Sequence, residues 1–149
     1  FTGEGVGVEL LGDGSVGIDD CRFSGLSAGA VVGGTISATI RASSFEDCCE
    51  GLVLASSASA TIEENRIHGS LRNGIRVSEA PSGSPTGALV LNGNSFANSG
   101  EWDVTLCGLA DSQTLAFHGS LSGAGNVVEG GSERLCPSDY GWPDGFIAE

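Results

Sequence analysis

Ala60-Thr61-Ile62-Glu63-Glu64-Asn65-Arg66-Ile67 and, six residues on, Asn73-Gly74-Ile75-Arg76-Val77 form one turn of a pattern that recurs along the chain. A step of 22 residues back from Ile62 reaches Ile40, and a second reaches Ile18. The same step links Ile67 to Phe45 and Phe23, and Gly51 to Gly29 and Gly7. A fixed period of this size marks a solenoid, in which each unit buries its apolar face only by stacking on its neighbours.

Each repeat carries two strand-like runs. The first reads Gly-apolar-x-apolar: Gly7-Val8-Glu9-Leu10, Gly29-Ala30-Val31-Val32, Gly51-Leu52-Val53-Leu54 and Gly74-Ile75-Arg76-Val77. Alternation turns Val8/Leu10, Ala30/Val32, Leu52/Leu54 and Ile75/Val77 inward, leaving Glu9, Val31, Val53 and Arg76 outside. The second run comprises Val16-Gly17-Ile18, Ala38-Thr39-Ile40, Ala60-Thr61-Ile62 and, after an insertion, Leu89-Val90-Leu91. A bend position follows at Cys21, Ser43, Asn65 and Asn94, and two residues later Phe23, Phe45, Ile67 and Phe96. The last copy is degenerate: Trp102 to Leu106 and Leu115 to Phe117 are its expected strands, and Gly125-Asn126-Val127-Val128 its bend. Helical periodicity is absent, and Gly and Ser punctuate the chain every ten or so residues. An all-β superhelix of about five coils follows, with parallel sheets spaced by roughly 4.8 Å. The coils take residues 1–128, and 129–149 form an irregular C-terminal cap.

The run Ala60 to Ile67 with Asn73 to Val77 resembles the right-handed parallel β-helix repeat of the pectin-lyase-like superfamily. That superfamily includes pectate lyases, polygalacturonases, alginate epimerases and many non-enzymatic surface proteins. The resemblance covers about residues 5–128 and implies an internal ladder of stacked Asn side chains at the bend, matched here by Asn65, Asn94 and Asn126. Asn suits the place because it tolerates left-handed backbone and satisfies groups freed at a bend. Ser43 and Cys21 depart from it, so the ladder is expected to weaken in the early coils.

Composition narrows the partners. The 149 residues include 25 Gly, no Met and six basic residues, all arginine: Arg22, Arg41, Arg66, Arg72, Arg76 and Arg134. A formal charge of −13 argues against nucleic acid and anionic membrane, which call for a basic patch. No apolar run approaches the roughly 20 residues of a span, so membrane insertion is not expected. The chain opens in Gly-rich, repeat-like sequence with no initiator Met or signal-peptide pattern, and a fragment of a longer protein is the expectation.

Five cysteines suit an oxidising compartment, so a secreted or cell-surface location is expected. Cys107 and Cys136 flank the last coil and are the expected disulfide, contributing roughly 3–4 kcal/mol in the chain-entropy model. Cys48 and Cys49 are adjacent, where a mutual bond would be strained, so separate fates are expected. Cys21 reads as a buried thiol.

Superfamily enzymes place acids, arginines or calcium ligands on an outer face or in loops. The acid pair and G-H-G and R-I-K motifs of polygalacturonases are missing, Arg66-Ile67-His68-Gly69 being the nearest text, and so is the D-P-H-E signature of alginate epimerases. Outward positions align Asp19, Arg41, Glu63 and Asn92 in one column and Asp20, Ala42 and Glu64 in the next, as in a self-paired surface ladder. The most polar neighbourhood holds Glu63, Glu64, Arg66, His68, Arg72 and Arg76. From it Glu63, Arg66, His68, Arg72 and Arg76 are taken as ligand-binding candidates, because arginine and carboxylate beside a histidine suit uronate binding or acid–base work. His68 reads as an exposed turn residue, and His118 has no partner nearby in sequence. The insertion Glu79 to Gly87 reads as a passive loop. Trp102, Tyr140 and Trp142 are bulky enough to cover an open solenoid end, or to stack on sugars. Asp13 reads as a turn residue. No catalytic set, metal cluster or cofactor motif emerges.

These features point to a non-catalytic extracellular module that binds or scaffolds within a larger protein or assembly. The alternative is a carbohydrate-active enzyme (lyase, hydrolase or epimerase) using the charged face of coils three and four. Expected partners are a polysaccharide or a protein neighbour stacking on the N-terminal coil, whose strand edge at Val6 to Leu10 lacks a cover.

Overall fold

The computed structural model describes residues 1–79, 87–106, 109, 121–138 and 142–148. Strands, numbered along the chain, stack into three parallel sheets. The first holds β1 (Val6–Leu10), β4 (Ala28–Val32), β7 (Glu50–Ala55), β10 (Asn73–Ser78), β13 (Trp102–Thr105) and β16 (Leu135–Cys136). The second holds β2 (Asp13–Asp19), β5 (Thr35–Arg41), β8 (Ser59–Glu63), β11 (Leu89–Asn92) and β14 (Leu121–Ser122). The third holds β3 (Arg22–Ser24), β6 (Ser44–Glu46), β9 (Arg66–His68), β12 (Ser95–Ala97) and β15 (Val127–Val128).

Register follows the repeat. Ile18, Ile40, Ile62 and Leu91 pair rung to rung in the second sheet, as do Phe23, Phe45, Ile67 and Phe96 in the third. All eight are buried. Ala30, Leu52, Ile75 and Val104 form the matching column of the first sheet. Phe1 also belongs to the pattern: its ring stacks on Phe23 at 5.0 Å, and Thr2 bridges to Ser24.

The bends are made by columns of left-handed residues. Between the second and third sheets these are Asp20, Ala42 and Glu64, at φ 50°, 47° and 55°. Each donates its amide to the next coil's strand-end carbonyl, on Arg41, Glu63 and Asn92. Left-handed backbone is unfavourable for Ala and Glu by roughly 1–2 kcal/mol, so inter-coil bonding holds it in place.

Beside this bend runs the polar ladder. The amide N–H of Asn65 donates to Asn94 Oδ1 at 3.0 Å, and that of Asn94 to Asn126 Oδ1 at 3.0 Å. The Nδ2 groups of the three reach the carbonyls of Ile40, Ile62 and Leu91. The ladder continues downward: Ser43 N–H donates to Asn65 Oδ1, and Cys21 N–H to Ser43 Oγ. Serine forms fewer of these bonds than asparagine does.

Four expectations need correction. Asp13 lies in β2, paired with Thr35, and is no turn residue. The second-sheet strand of the last coil is Leu121–Ser122, in register with Leu89 and Val90, while Leu115 to Phe117 lie outside the described residues. Cys21 is half-buried, its Sγ donating to Asp19 O at 3.3 Å, and is not a fully buried thiol. His68 sits in β9, half-buried, and is no exposed turn residue. Cys21, Cys48 and Cys49 are free thiols and Cys136 is buried, while Cys107 lies outside the described residues.

Beyond Val128 a 3-10 turn at Gly131–Arg134 leads into β16, so one strand of the first sheet lies in the C-terminal segment. There Trp142 packs on Phe146 with ring centroids 5.0 Å apart, and its indole N–H donates to Pro137 O at 2.9 Å. Asn126 Nδ2 donates to Phe146 O, tying the tail to the ladder.

Candidate functional site

Five candidate residues come to lie on three different faces. Glu63 is on the outer side of the second sheet, between Arg41 and Asn92 in register. Asn92 Nδ2 donates to its carboxylate at 3.2 Å, and Arg41 bonds to Asp19 at 2.8 Å. That hydrogen bond holds the Asp19 carboxyl below its ordinary range. The column is a self-paired surface ladder, and it brings none of the other four candidates to Glu63.

Arg76 lies in β10 of the first sheet, and Arg72 stands in the bend immediately before that strand. Both turn to Glu50, with Arg76 Nε at 3.1 Å and Arg72 Nη1 at 3.8 Å, and Arg72 Nε also meets Glu101 at 3.0 Å. Sequence reasoning missed Glu50, which is buried although its rung partners are Ala28 and Asn73. Its Oε2 and the neighbouring Asn73 Oδ1 are buried and have no hydrogen-bond partner among the described residues. The only sequence signal is a carboxylate standing where the preceding coil has alanine.

Arg66 and His68 flank buried Ile67 in β9 and face outward from the third sheet. Glu46, in register with His68, takes Arg22 at 2.6 Å and Arg66 at 3.5 Å. His68 Nε2 is joined to Ser95 Oγ at 2.9 Å. Burial, and then the Arg66 charge, push the imidazole pKa below its ordinary value, so the ring is uncharged at neutral pH. These groups border a depression of about 380 Å³ lined by Glu46, Asp47, Arg66, His68, Gly69 and Asn98. It lies where the third sheet bends into the first.

At that bend a second left-handed column runs Gly25, Asp47, Gly69, Asn98 and Gly130. Asp47 and Asn98 are the two L-residues in it, at φ 54° and 58°, with Gly69 between them. A Cβ at Gly69 would stand 2.5 Å from Asp47 Oδ1, so the missing side chain opens the notch. Asp and Asn are among the residues that best tolerate this backbone. The sequence signal was present: Gly25, Asp47 and Gly69 are 22 apart, and all three are turn formers.

Among the described residues no group of three or more His, Cys, Asp or Glu could hold a metal ion. Burial raises the Cys48 thiol, which suits an inert core thiol rather than a nucleophile. His118 and Tyr140 lie outside the described residues. Trp102 is half-buried in β13, away from Trp142 at the C-terminal end. The family described as a right-handed beta helix region matches residues 1–132. No curated protein and no solved structure matches the chain.

Proposed function

We propose, from the premise that the chain belongs to the right-handed β-helix family, that it is a non-catalytic extracellular module. It scaffolds and binds within a larger surface or secreted protein or assembly. One observation carries this reading: all six arginines are ion-paired to carboxylates of the chain itself. The pairs join residues of different coils and are spread over three faces. The cationic groups an acidic polysaccharide would need are thus engaged in stitching rung to rung.

A second reading, a carbohydrate-active enzyme, is favoured by the meeting of Glu46, Arg66 and His68 in one depression. Incubation with a panel of uronate and neutral polysaccharides separates the two, read by new reducing ends and by absorbance of unsaturated products. The scaffolding reading expects no turnover. Turnover that disappears in Arg66→Ala or His68→Ala, with melting temperature unchanged, overturns it.

A further inference from the structure

The C-terminal segment holds a depression of about 350 Å³ with an apolar floor and an oxygen-bearing rim. Trp142, Pro143 and Ile147 line it and are half-buried, while Ser132, Ser138 and Asp144 line it and are exposed. The stack itself holds the wall in place. The amides of Gly125 and Asn126 donate to the carbonyls of Gly145 and Phe146 at 2.9 and 3.0 Å, and Ala148 N–H donates to Asn126 O at 2.7 Å. Phe146 is buried in the core, and its ring braces Trp142 at 5.0 Å and 44°. The indole N–H is engaged by Pro137 O, so Trp142 offers a ligand its ring rather than a donor. No arginine borders the depression, and Asp144 has no ion pair among the described residues.

We propose that this depression binds one neutral pyranose unit of an oligosaccharide. A pyranose has an apolar C–H face and a rim of hydroxyls, the same division that the lining shows. Its C–H face stacks on Trp142, and its hydroxyls donate to the Asp144 carboxylate and exchange hydrogen bonds with the serines. The volume lies near the lower end of the roughly 300–1,000 Å³ usual for small-ligand sites, which suits one or two sugar rings. A uronate is disfavoured, because its carboxylate would meet Asp144 with no cation to offset the pair. An aromatic cage for a cation calls for several ring faces, and Phe146 is only 1% exposed beside Trp142. The inference rests on the binding part of the proposed function, which fails by a different measurement, polysaccharide turnover.

The test is an NMR titration of the whole chain with neutral tetrasaccharides of glucose, mannose, galactose and xylose, and with tetragalacturonate. Saturable shifts centred on the Trp142 indole and the Gly145 amide are expected with at least one neutral sugar. The dissociation constant should be roughly 1 mM, as small-ligand efficiency allows for one ring. Asp144→Asn alters an exposed residue, so folding is spared. It should weaken the neutral sugar about fivefold, by loss of a charged acceptor, and narrow the discrimination against tetragalacturonate. Trp142→Phe keeps a ring beside Phe146 and should weaken binding about threefold. Glu9→Gln removes an exposed charge elsewhere and should change affinity less than about twofold. Absence of saturable shifts with all four neutral sugars would overturn the proposal. So would shifts centred away from Trp142 and Gly145, tetragalacturonate binding as tightly as the neutral sugars, or Asp144→Asn binding like the unaltered chain.

Discussion

Asp103 and Arg134 stand on consecutive rungs of one column, and their side chains meet at 3.7 Å. Below them the column is Gly7, Gly29, Gly51 and Gly74. Glycine is required there because a Cβ on Gly29 would lie 2.6 Å from Gly51 O. At the C-terminal end the crowding ends and the column closes in an acid and a base. Arg134 also donates from Nη2 to Ser99 O, so one guanidinium pins the 3-10 turn to the body.

Burial raises the Asp103 pKa, opposed by Ser99 and the Arg134 charge. Folding therefore favours the protonated form more than the unfolded chain does. Stability from this group is full below the unfolded value, about 3.9, and is lost as pH rises through the higher folded value. Asp103→Asn should flatten that dependence: thermal melts from pH 3 to 7 should show the variant gaining on the parent as pH rises. Parallel pH curves would count against the assignment.

Asn94→Ala should be among the costliest polar truncations in the molecule. It orphans the buried Asn65 N–H, removes the Nδ2 bonds to Ile62 O and Asn126 Oδ1, and leaves only the backbone N–H of residue 94 on Asn126. The orphaned N–H alone costs about 1–3 kcal/mol. Asn94→Ser should recover part of this, as Ser43 does lower in the ladder. Urea unfolding of the three proteins measures the order, and equal midpoints for Ala and Ser would contradict it.

Gly51→Ala removes no contact yet should destabilise by about 1–3 kcal/mol, the usual range for overpacking. The added methyl would meet the Gly74 carbonyl and stand 2.9 Å from Ile67 Cγ2. Gly17→Ala has no atom within 4 Å of the added methyl and is the control, expected to melt like the parent.

Arg66→Ala should cost less than about 1 kcal/mol, because the Arg66–Glu46 pair is largely exposed. Its effect should shrink in high salt. A large, salt-independent loss would show that the pair does more than brace a surface.

Cysteine accessibility checks the proposed Cys107–Cys136 staple. Alkylation of unfolded, unreduced chain, followed by mass measurement, should label Cys21, Cys48 and Cys49, and reduction should release two further thiols. Alkylation of Cys107 without reduction would remove the staple.

The solenoid, its strand register and its buried columns were legible because one 22-residue period governs Gly51, Ile62 and Ile67 together. The Asn ladder was legible too, through the resemblance, although Ser43's share in it was not. What escaped the sequence depends on contacts between rungs of unlike residues. Glu50 reads as one more surface acid until Arg72 and Arg76 close on it, and His68 as a turn until Ser95 comes within bonding distance. The left-handed notch at Gly69 escaped because three turn formers in register suggest a bend without saying that it opens a cup. Of the candidate set, Arg66 with His68, and Arg72 with Arg76, were brought together, while Glu63 was placed on another face.

Each rung bonds only to the rung above and the rung below, which has a mechanical corollary. Pulled along the stack axis from its two ends, such a molecule has no single yield point. The outermost coil detaches while the rest stays wound, and the load passes to the next. A force trace should therefore be a sawtooth, its contour-length increment set by the repeat and its tallest teeth where the Asn ladder crosses.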